Sequence, residues 1–131
     1  MKILITSGAW QASLACVQSL GRAGHEIYLL DQEPLLSVAR SKYCRGQFFS
    51  PSEKYKDPYI NFLKDLLAKE TFDLIIPISG CCTQYCVDNR EALERRVRIL
   101  LPSQEAVTTA NSKAHTCALA MEHNVAIPKT Y

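Results

Sequence analysis

Two polar segments near the start of the chain carry residue types that suit a binding site. Residues 7–11 (SGAWQ) follow an apolar run at residues 3–5, and Asp31 follows a second apolar run at residues 27–30. Short continuous apolar runs are typical of parallel strands that are covered on both faces. Ligands of such sheets bind beyond the carboxyl ends of the strands. The sequence therefore predicts a site that contains Ser7, Gly8, Ala9, Trp10, Gln11 and Asp31, with Gly8 forming the tight turn after the first strand.

A third candidate segment follows the strand-like run DLIIPI at residues 73–78. The same reasoning about strand ends adds Ser79, Gly80 and Cys81 to the predicted site. Cys81 falls where a strand turns into a helix, and the free amides of a helix start favour a thiolate. Cys82 and Cys86 are one helical turn apart, a spacing that predicts two small core residues.

The cysteine pattern argues against a metal centre. Metal sites made of cysteine use pairs that are separated by roughly two to four residues, with a second pair elsewhere. This chain lacks that arrangement, and its three histidines are scattered; its six cysteines are Cys16, Cys44, Cys81, Cys82, Cys86 and Cys117. We therefore expect six reduced thiols and neither zinc nor an iron–sulfur cluster.

The opening segment also suggests a dinucleotide-binding fold, in which Asp31 would suit a ribose hydroxyl. The glycine fingerprint of that fold is missing, because the positions counted from Gly8 are Trp10 and Ser13. Trp10 would block the close approach of a pyrophosphate to the backbone. A nicotinamide oxidoreductase domain is therefore the least favoured of the functions considered.

Strands and helices alternate along the chain. Strands are predicted at residues 3–5, 27–30, 47–49, 73–78 and 98–101, and helices at residues 10–23, 58–70, 82–95, 104–110 and 112–124. This order predicts an α/β three-layer sandwich with a Rossmann-like parallel sheet in residues 1–110, followed by a helix and tail in residues 111–131. Lys113 falls in the first turn of the last helix, where its charge opposes the helix dipole, so the pattern alone indicates a surface lysine.

The composition and the lack of a visible targeting segment indicate the compartment and the classes of partner that we expect. The chain has 131 residues, of which 47% are hydrophobic and 21% charged, with a net charge of +2, as in a single soluble domain. The sequence has no stripe of basic residues, so we expect no nucleic-acid partner. No secretory leader and no run long enough to span a bilayer are visible, so we expect a cytoplasmic protein without a membrane partner.

The chain resembles the N-terminal, pre-ATP-grasp domain of ATP-grasp ligases, in particular the carbamoyl-phosphate-synthase-like members. The resemblance covers essentially all of the chain and depends on five segments in order: ILITSGAWQASLACVQSLGRAGHEIYLLD, SVARSKYCRGQFFSPSEKYKDPYINFL, FDLIIPISG, RILLPSQEAV and NSKAHTCALAMEHNVAIPKTY.

The resemblance implies a reaction and a different role for each domain. Members of the family use ATP and Mg²⁺ to convert a small carboxylate into an acyl phosphate, which an amine attacks. The leading domain lines the substrate cleft, here with residues 7–11, Asp31 and residues 79–81, and later ATP-grasp domains supply most of the chemistry. Lys113 is similar to a family position that contacts nucleotide phosphate. Family members often carry an acidic residue after the fourth strand, where this chain has Ser79.

The leading hypothesis is the substrate-side domain of an ATP-dependent carboxylate–amine ligase, inactive without the C-terminal domains that would follow residue 131. We expect Val125, Ile127 and Tyr131 to be left uncovered and to favour self-association as a homodimer. The alternative is a stand-alone Rossmann-like module that binds a ligand or a partner without catalysis.

Overall fold

The computed structural model describes residues 1–34 and 37–128. In order, the helices and strands are β1 (Lys2–Thr6), α1 (Gln11–Arg22), β2 (Glu26–Asp31), β3 (Cys44–Phe49), α2 (Lys56–Lys69), β4 (Leu74–Ile76), α3 (Gly80–Asp88), α4 (Arg90–Glu94), β5 (Arg98–Ile99), α5 (Gln104–Ala110) and α6 (Lys113–Glu122). The strand β3 begins three residues earlier than the sequence predicts. The helical turn predicted at residues 35–39 begins in a segment outside the described residues.

The five strands form one sheet in the order β3-β2-β1-β4-β5, and every neighbouring pair is parallel. The register pairs Thr6 of β1 with Leu30 of β2, and Leu30 with Phe48 of β3. The carboxyl ends of these strands therefore lie at the same edge of the sheet. The predicted parallel sheet is confirmed.

Each face of the sheet is covered by a separate apolar cluster, because successive side chains of a strand point to opposite faces. Leu4 packs with Leu63 of α2 and with the helices α3 and α4 on one face. Ile3 and Ile5 pack with Val17 of α1 on the other face. Apolar residues on both faces explain why β1 is a continuous apolar run. The three-layer α/β sandwich is confirmed.

The first helix begins one residue later than its apolar spacing indicates. Trp10 is the N-cap of α1, and 60% of its surface is exposed. The buried residues of the helix are Ser13 and Val17. At the other end of α1, Gly24 has a φ of 84°, a left-handed conformation that costs little at a residue without a Cβ.

Two further helix boundaries differ from those predicted. The helix α2 begins at Lys56 with Tyr55 as its N-cap, two residues before the predicted start at residue 58. The single helix predicted at residues 82–95 is two helices, which meet at Asn89. Its start is Gly80, because Ser79 caps it by accepting a hydrogen bond from the amide of Cys82.

The chain divides into two compact units, Met1–Leu101 and Pro102–Tyr131, whereas the sequence predicts a break after residue 110. In the second unit each helix begins at a serine cap: Ser103 accepts a hydrogen bond from the amide of Ala106, and Ser112 accepts one from the amide of His115. Val125 is exposed as expected and Ile127 is half-buried; Tyr131 lies outside the described residues. Within residues 1–34 and 37–128, no helix is long and apolar enough to cross a membrane.

Candidate functional site

A cleft of about 490 Å³ lies at the carboxyl ends of the strands in the first unit. It is lined by Ala9, Trp10, Asp31, Gln32, Ser52, Glu53, Lys54, Cys81 and Tyr85. Four of the ten residues predicted as ligand contacts therefore line it, namely Ala9, Trp10, Asp31 and Cys81. The ligand-binding role of these residues stays a prediction.

The chain leaves β1 through a left-handed turn at Ser7, whose φ is 56°. Serine carries a Cβ, so this conformation is less favourable than it would be for glycine. Gly8 lies in this turn as predicted, and the left-handed residue of the turn is Ser7. The carbonyl oxygen of Ser7 accepts hydrogen bonds from the hydroxyl of Ser13 (2.7 Å) and from the amide of Trp10 (3.3 Å). These bonds hold the segment from Ser7 to Trp10 over the sheet edge.

Asp31 connects this segment to the end of β2. Its Oδ2 accepts a hydrogen bond from the amide of Ala9 at 3.1 Å, and its Oδ1 accepts from the amides of Gln32 (2.7 Å) and Glu33 (3.3 Å). The expectation that Asp31 and residues 7–8 share one end of the sheet is confirmed. Because its partners are backbone amides, Asp31 is held in one orientation at the wall of the cleft.

Glu53 is one of five lining residues that were not predicted from the sequence, together with Gln32, Ser52, Lys54 and Tyr85. Its carboxylate accepts hydrogen bonds from the hydroxyl of Ser7 at Oε1 and from the hydroxyl of Ser79 at Oε2, the second at 2.7 Å. Its carbonyl oxygen accepts from the hydroxyl of Tyr85 at 3.1 Å. The loop after β3 is thereby fixed across the ends of β1 and β4. An acidic side chain reaches the position that follows β4, although Ser79 occupies that place in the sequence.

The two adjacent cysteines at the start of α3 have opposite environments. Cys81 is exposed and lines the cleft, whereas Cys82 is fully buried. The sulfur of Cys82 lies 3.4 Å from the hydroxyl oxygen of Ser7 and 3.1 Å from that of Tyr59. Burial raises the pKa of the Cys82 thiol, although hydrogen bonds to neighbouring hydroxyls oppose part of this rise. Burial also raises the pKa of Cys86, to about 12. Both buried thiols are therefore neutral at physiological pH.

The remaining predicted site residues lie outside the cleft lining. Gly8 is buried in the turn, and its amide donates to the carbonyl oxygen of Leu30. Gln11 and Gly80 are exposed first residues of α1 and α3. Lys113 belongs to the second unit, where it is the exposed first residue of α6, as expected for the first helical turn.

In the part of the chain that the structure describes, no group of three or more histidine, cysteine, aspartate or glutamate side chains is arranged to hold a metal ion. The lining of the cleft offers carboxylate acceptors, one lysine and two aromatic rings to a small molecule.

No protein family and no curated protein matches this chain at the level of sequence. Solved structures do match it. Glycinamide-RNase-transformylase T from Mycobacterium tuberculosis has a TM-score of 0.68 and 13% identity, over 94% of this chain and 32% of that protein. N5-carboxyaminoimidazole ribonucleotide synthetase from Thermotoga maritima has a TM-score of 0.64 and 14% identity, over 98% and 32%.

A third structure, the phosphoribosylaminoimidazole carboxylase ATPase subunit from Aquifex aeolicus, has a TM-score of 0.59 and 13% identity, over 98% of this chain and 33% of that one. The chain thus spans about a third of the length of each structure that it matches. At these identities the likeness establishes the fold. The chain has the fold of the N-terminal domain of ATP-grasp ligases.

Proposed function

We propose that this chain is the N-terminal, substrate-side domain of an ATP-dependent carboxylate–amine ligase of the carbamoyl-phosphate-synthase-like group. The observation that carries the proposal is the extent of the structural match. Almost all of this chain, 94–98%, corresponds to about a third of each ligase-like structure. The rest of such an enzyme would supply the ATP-grasp domains, which are this chain's partners in the proposal.

The contribution of this domain is to bind and orient a substrate. When ATP and Mg²⁺ are bound elsewhere in the enzyme, they supply the energy that activates a carboxylate. The cleft at the sheet edge supplies fixed acceptors in Asp31 and Glu53, whose orientations are set by hydrogen bonds to the protein. Fixed groups of this kind position a reactant without further reorganisation. The isolated domain would have no catalytic activity.

The proposal is tested on the product of the whole gene, including any codons after that of Tyr131. The purified protein is incubated with Mg-ATP, hydroxylamine and a panel of small carboxylates, because hydroxylamine traps an acyl phosphate as a hydroxamate. We expect ADP and hydroxamate to form together with at least one carboxylate, and neither to form with residues 1–131 alone. A whole-gene product that yields no ADP and no hydroxamate with any carboxylate would contradict the proposal.

The proposed contact of Lys113 with nucleotide has its own test in that protein. Lys113→Ala should raise the ATP concentration that half-saturates the enzyme by about tenfold, as expected for one lost charged contact. The midpoint of unfolding should not change, because Lys113 is exposed. The matched control is Lys69→Ala, which removes an exposed lysine at the end of α2.

A stand-alone ligand-binding module is the second candidate. It is favoured by one observation: every residue that lines the cleft belongs to the first unit, Met1–Leu101. Ligand binding by residues 1–131, together with a whole-gene product that never consumes ATP, is the result that would select this alternative.

A further inference from the structure

The cleft contains two carboxylates that form no ion pair within residues 1–34 and 37–128. Among these residues, the donors to Asp31 are backbone amides, and the donors to the Glu53 side chain are serine hydroxyls. Lys54 is the single cation of the lining. The lining therefore has a formal charge of −1, although the whole chain has a net charge of +2.

Both carboxylates retain capacity to accept further hydrogen bonds. The two oxygens of an ionised carboxylate offer about four lone-pair sites. Each oxygen of Glu53 accepts one bond from the protein, and Oδ2 of Asp31 also accepts one. The unused sites belong to oxygens of residues that line the cleft. A ligand that donates hydrogen bonds can therefore use these oxygens without displacing the protein's own bonds.

Two aromatic side chains complete the lining. Trp10 has 60% of its surface exposed, an unusual degree for the largest side chain, and Tyr85 lines the same cleft. Among described residues, no other ring stacks on Trp10. The faces of tryptophan and tyrosine rings attract organic cations through their negative quadrupole. Lys56 Nζ already lies 5.8 Å from the centroid of the Tyr85 ring, so the exposed Trp10 ring and the two carboxylates are the groups that favour a cationic ligand.

From these observations we infer that the cleft binds an organic ammonium ion: the amine-bearing substrate, rather than the small carboxylate that the family resemblance implies for this position. An ammonium group would donate to Glu53 and Asp31, and its carbon skeleton would lie against Trp10 and Tyr85. A carboxylate in the same place would meet two like charges in a partly desolvated site. The inference depends on the proposed function only for the statement that the ammonium compound is a substrate of a ligase.

The test compares two probes of equal length and opposite charge, 1,5-diaminopentane and glutarate, in NMR titrations of the 131-residue chain labelled with ¹⁵N. We expect the diamine to produce saturable shifts of the Trp10 indole N–H signal and of the amides of residues 7–11. Glutarate should leave these signals unchanged at the same concentration. Saturable binding of glutarate at these residues, or equal effects of the two probes, would overturn the inference.

Variants separate charge recognition from loss of structure. Glu53→Gln keeps the shape of the side chain and removes its charge, and it should weaken diamine binding about tenfold. Glu26→Gln is the matched control, because Glu26 is exposed at the opposite end of β2, and it should leave the affinity unchanged. Asp31→Asn is a second variant, which should also weaken diamine binding. It keeps the test valid if Glu53→Gln disturbs the loop. Diamine affinity that is unchanged in both Glu53→Gln and Asp31→Asn would contradict the inference.

Failure of this inference can be told apart from failure of the proposed function. Diamine binding without ATP-dependent hydroxamate formation by the whole-gene product would support the cleft assignment and reject the ligase. Hydroxamate formation together with glutarate binding in the cleft would support the ligase and reject the assignment.

Discussion

The carboxylate of Glu53 accepts a hydrogen bond from the hydroxyl of Ser7, a residue 46 positions earlier in the chain. The donor begins the turn after the first strand of the sheet, and the acceptor lies on a loop after the third. Ser7 has only 1% of its surface exposed, so its hydroxyl depends on this partner more than an exposed serine would.

Glu53→Ala should destabilise the protein by about 2 kcal/mol, because it leaves the hydroxyls of Ser7 and Ser79 without their acceptor. The free energy of unfolding is measured by urea denaturation. Glu26→Ala serves as control and should change stability by less than about 0.5 kcal/mol, as expected for an exposed position. A cost for Glu53→Ala no larger than that of the control would show that the loop is held by other contacts.

Ser7 can be tested for the cost of its backbone conformation. Ser7→Ala and Ser7→Gly both lose the hydroxyl, but only glycine adopts a φ of 56° without strain. Ser7→Gly should therefore be more stable than Ser7→Ala by about 1 kcal/mol. The control is the pair Ser79→Ala and Ser79→Gly. Because the φ of Ser79 is −75°, the glycine variant should not be the more stable of the two. Equal stability of the two Ser7 variants would argue against a left-handed residue there.

The six cysteines should differ in their rate of alkylation. Cys81 is exposed and should react first with iodoacetamide, whereas Cys82 and Cys86 are buried with raised pKa values and should react only on unfolding. Peptide mass spectrometry after short labelling at neutral pH gives the order, and labelling in denaturant should find six free thiols. Labelling of Cys82 before Cys81 would contradict the burial described for α3.

Stability should fall in alkaline solution, partly because of Cys86. Its pKa is raised from 9.0 to about 12 by burial, so the folded state keeps the proton that the unfolded state loses. The stabilisation is complete below pH 9 and is lost as the pH rises from 9 towards 12. The free energy of unfolding should drop by up to about 1.4 kcal/mol per pH unit through this thiol. Cys86→Ala should be less stable at pH 7 and should show a shallower alkaline decline; an unchanged slope would rule out this thiol as the cause.

Most of the fold could be predicted from the sequence, because it depends on local patterns. The apolar runs of β1, β2 and β4 are continuous since both faces of these strands are covered. Caps such as Ser103 are equally local, as a serine oxygen satisfies an amide three residues later.

The site could be predicted only in part, because its remaining features depend on contacts between distant segments. Asp31 and residues 7–11 could be identified from their places after strands. Glu53 could not, since nothing in the segment PSEK shows that its loop crosses to Ser7 and Ser79. The position of the left-handed residue could not be predicted either: glycine has the lower intrinsic cost, but tertiary hydrogen bonds impose that conformation on Ser7.

The bonds from Glu53 to Ser7 and Ser79 also determine when the cleft forms during folding. The segments that they join are 46 and 26 residues apart, so both loops must close before the lining is complete. A partly folded chain in which β1, β3 and β4 are not yet aligned would have no cleft. Any molecule that occupies the cleft therefore binds the completed sheet alone. By mass action, it stabilises the whole first unit by RT ln(1 + [L]/Kd), where [L] is its free concentration and Kd its dissociation constant.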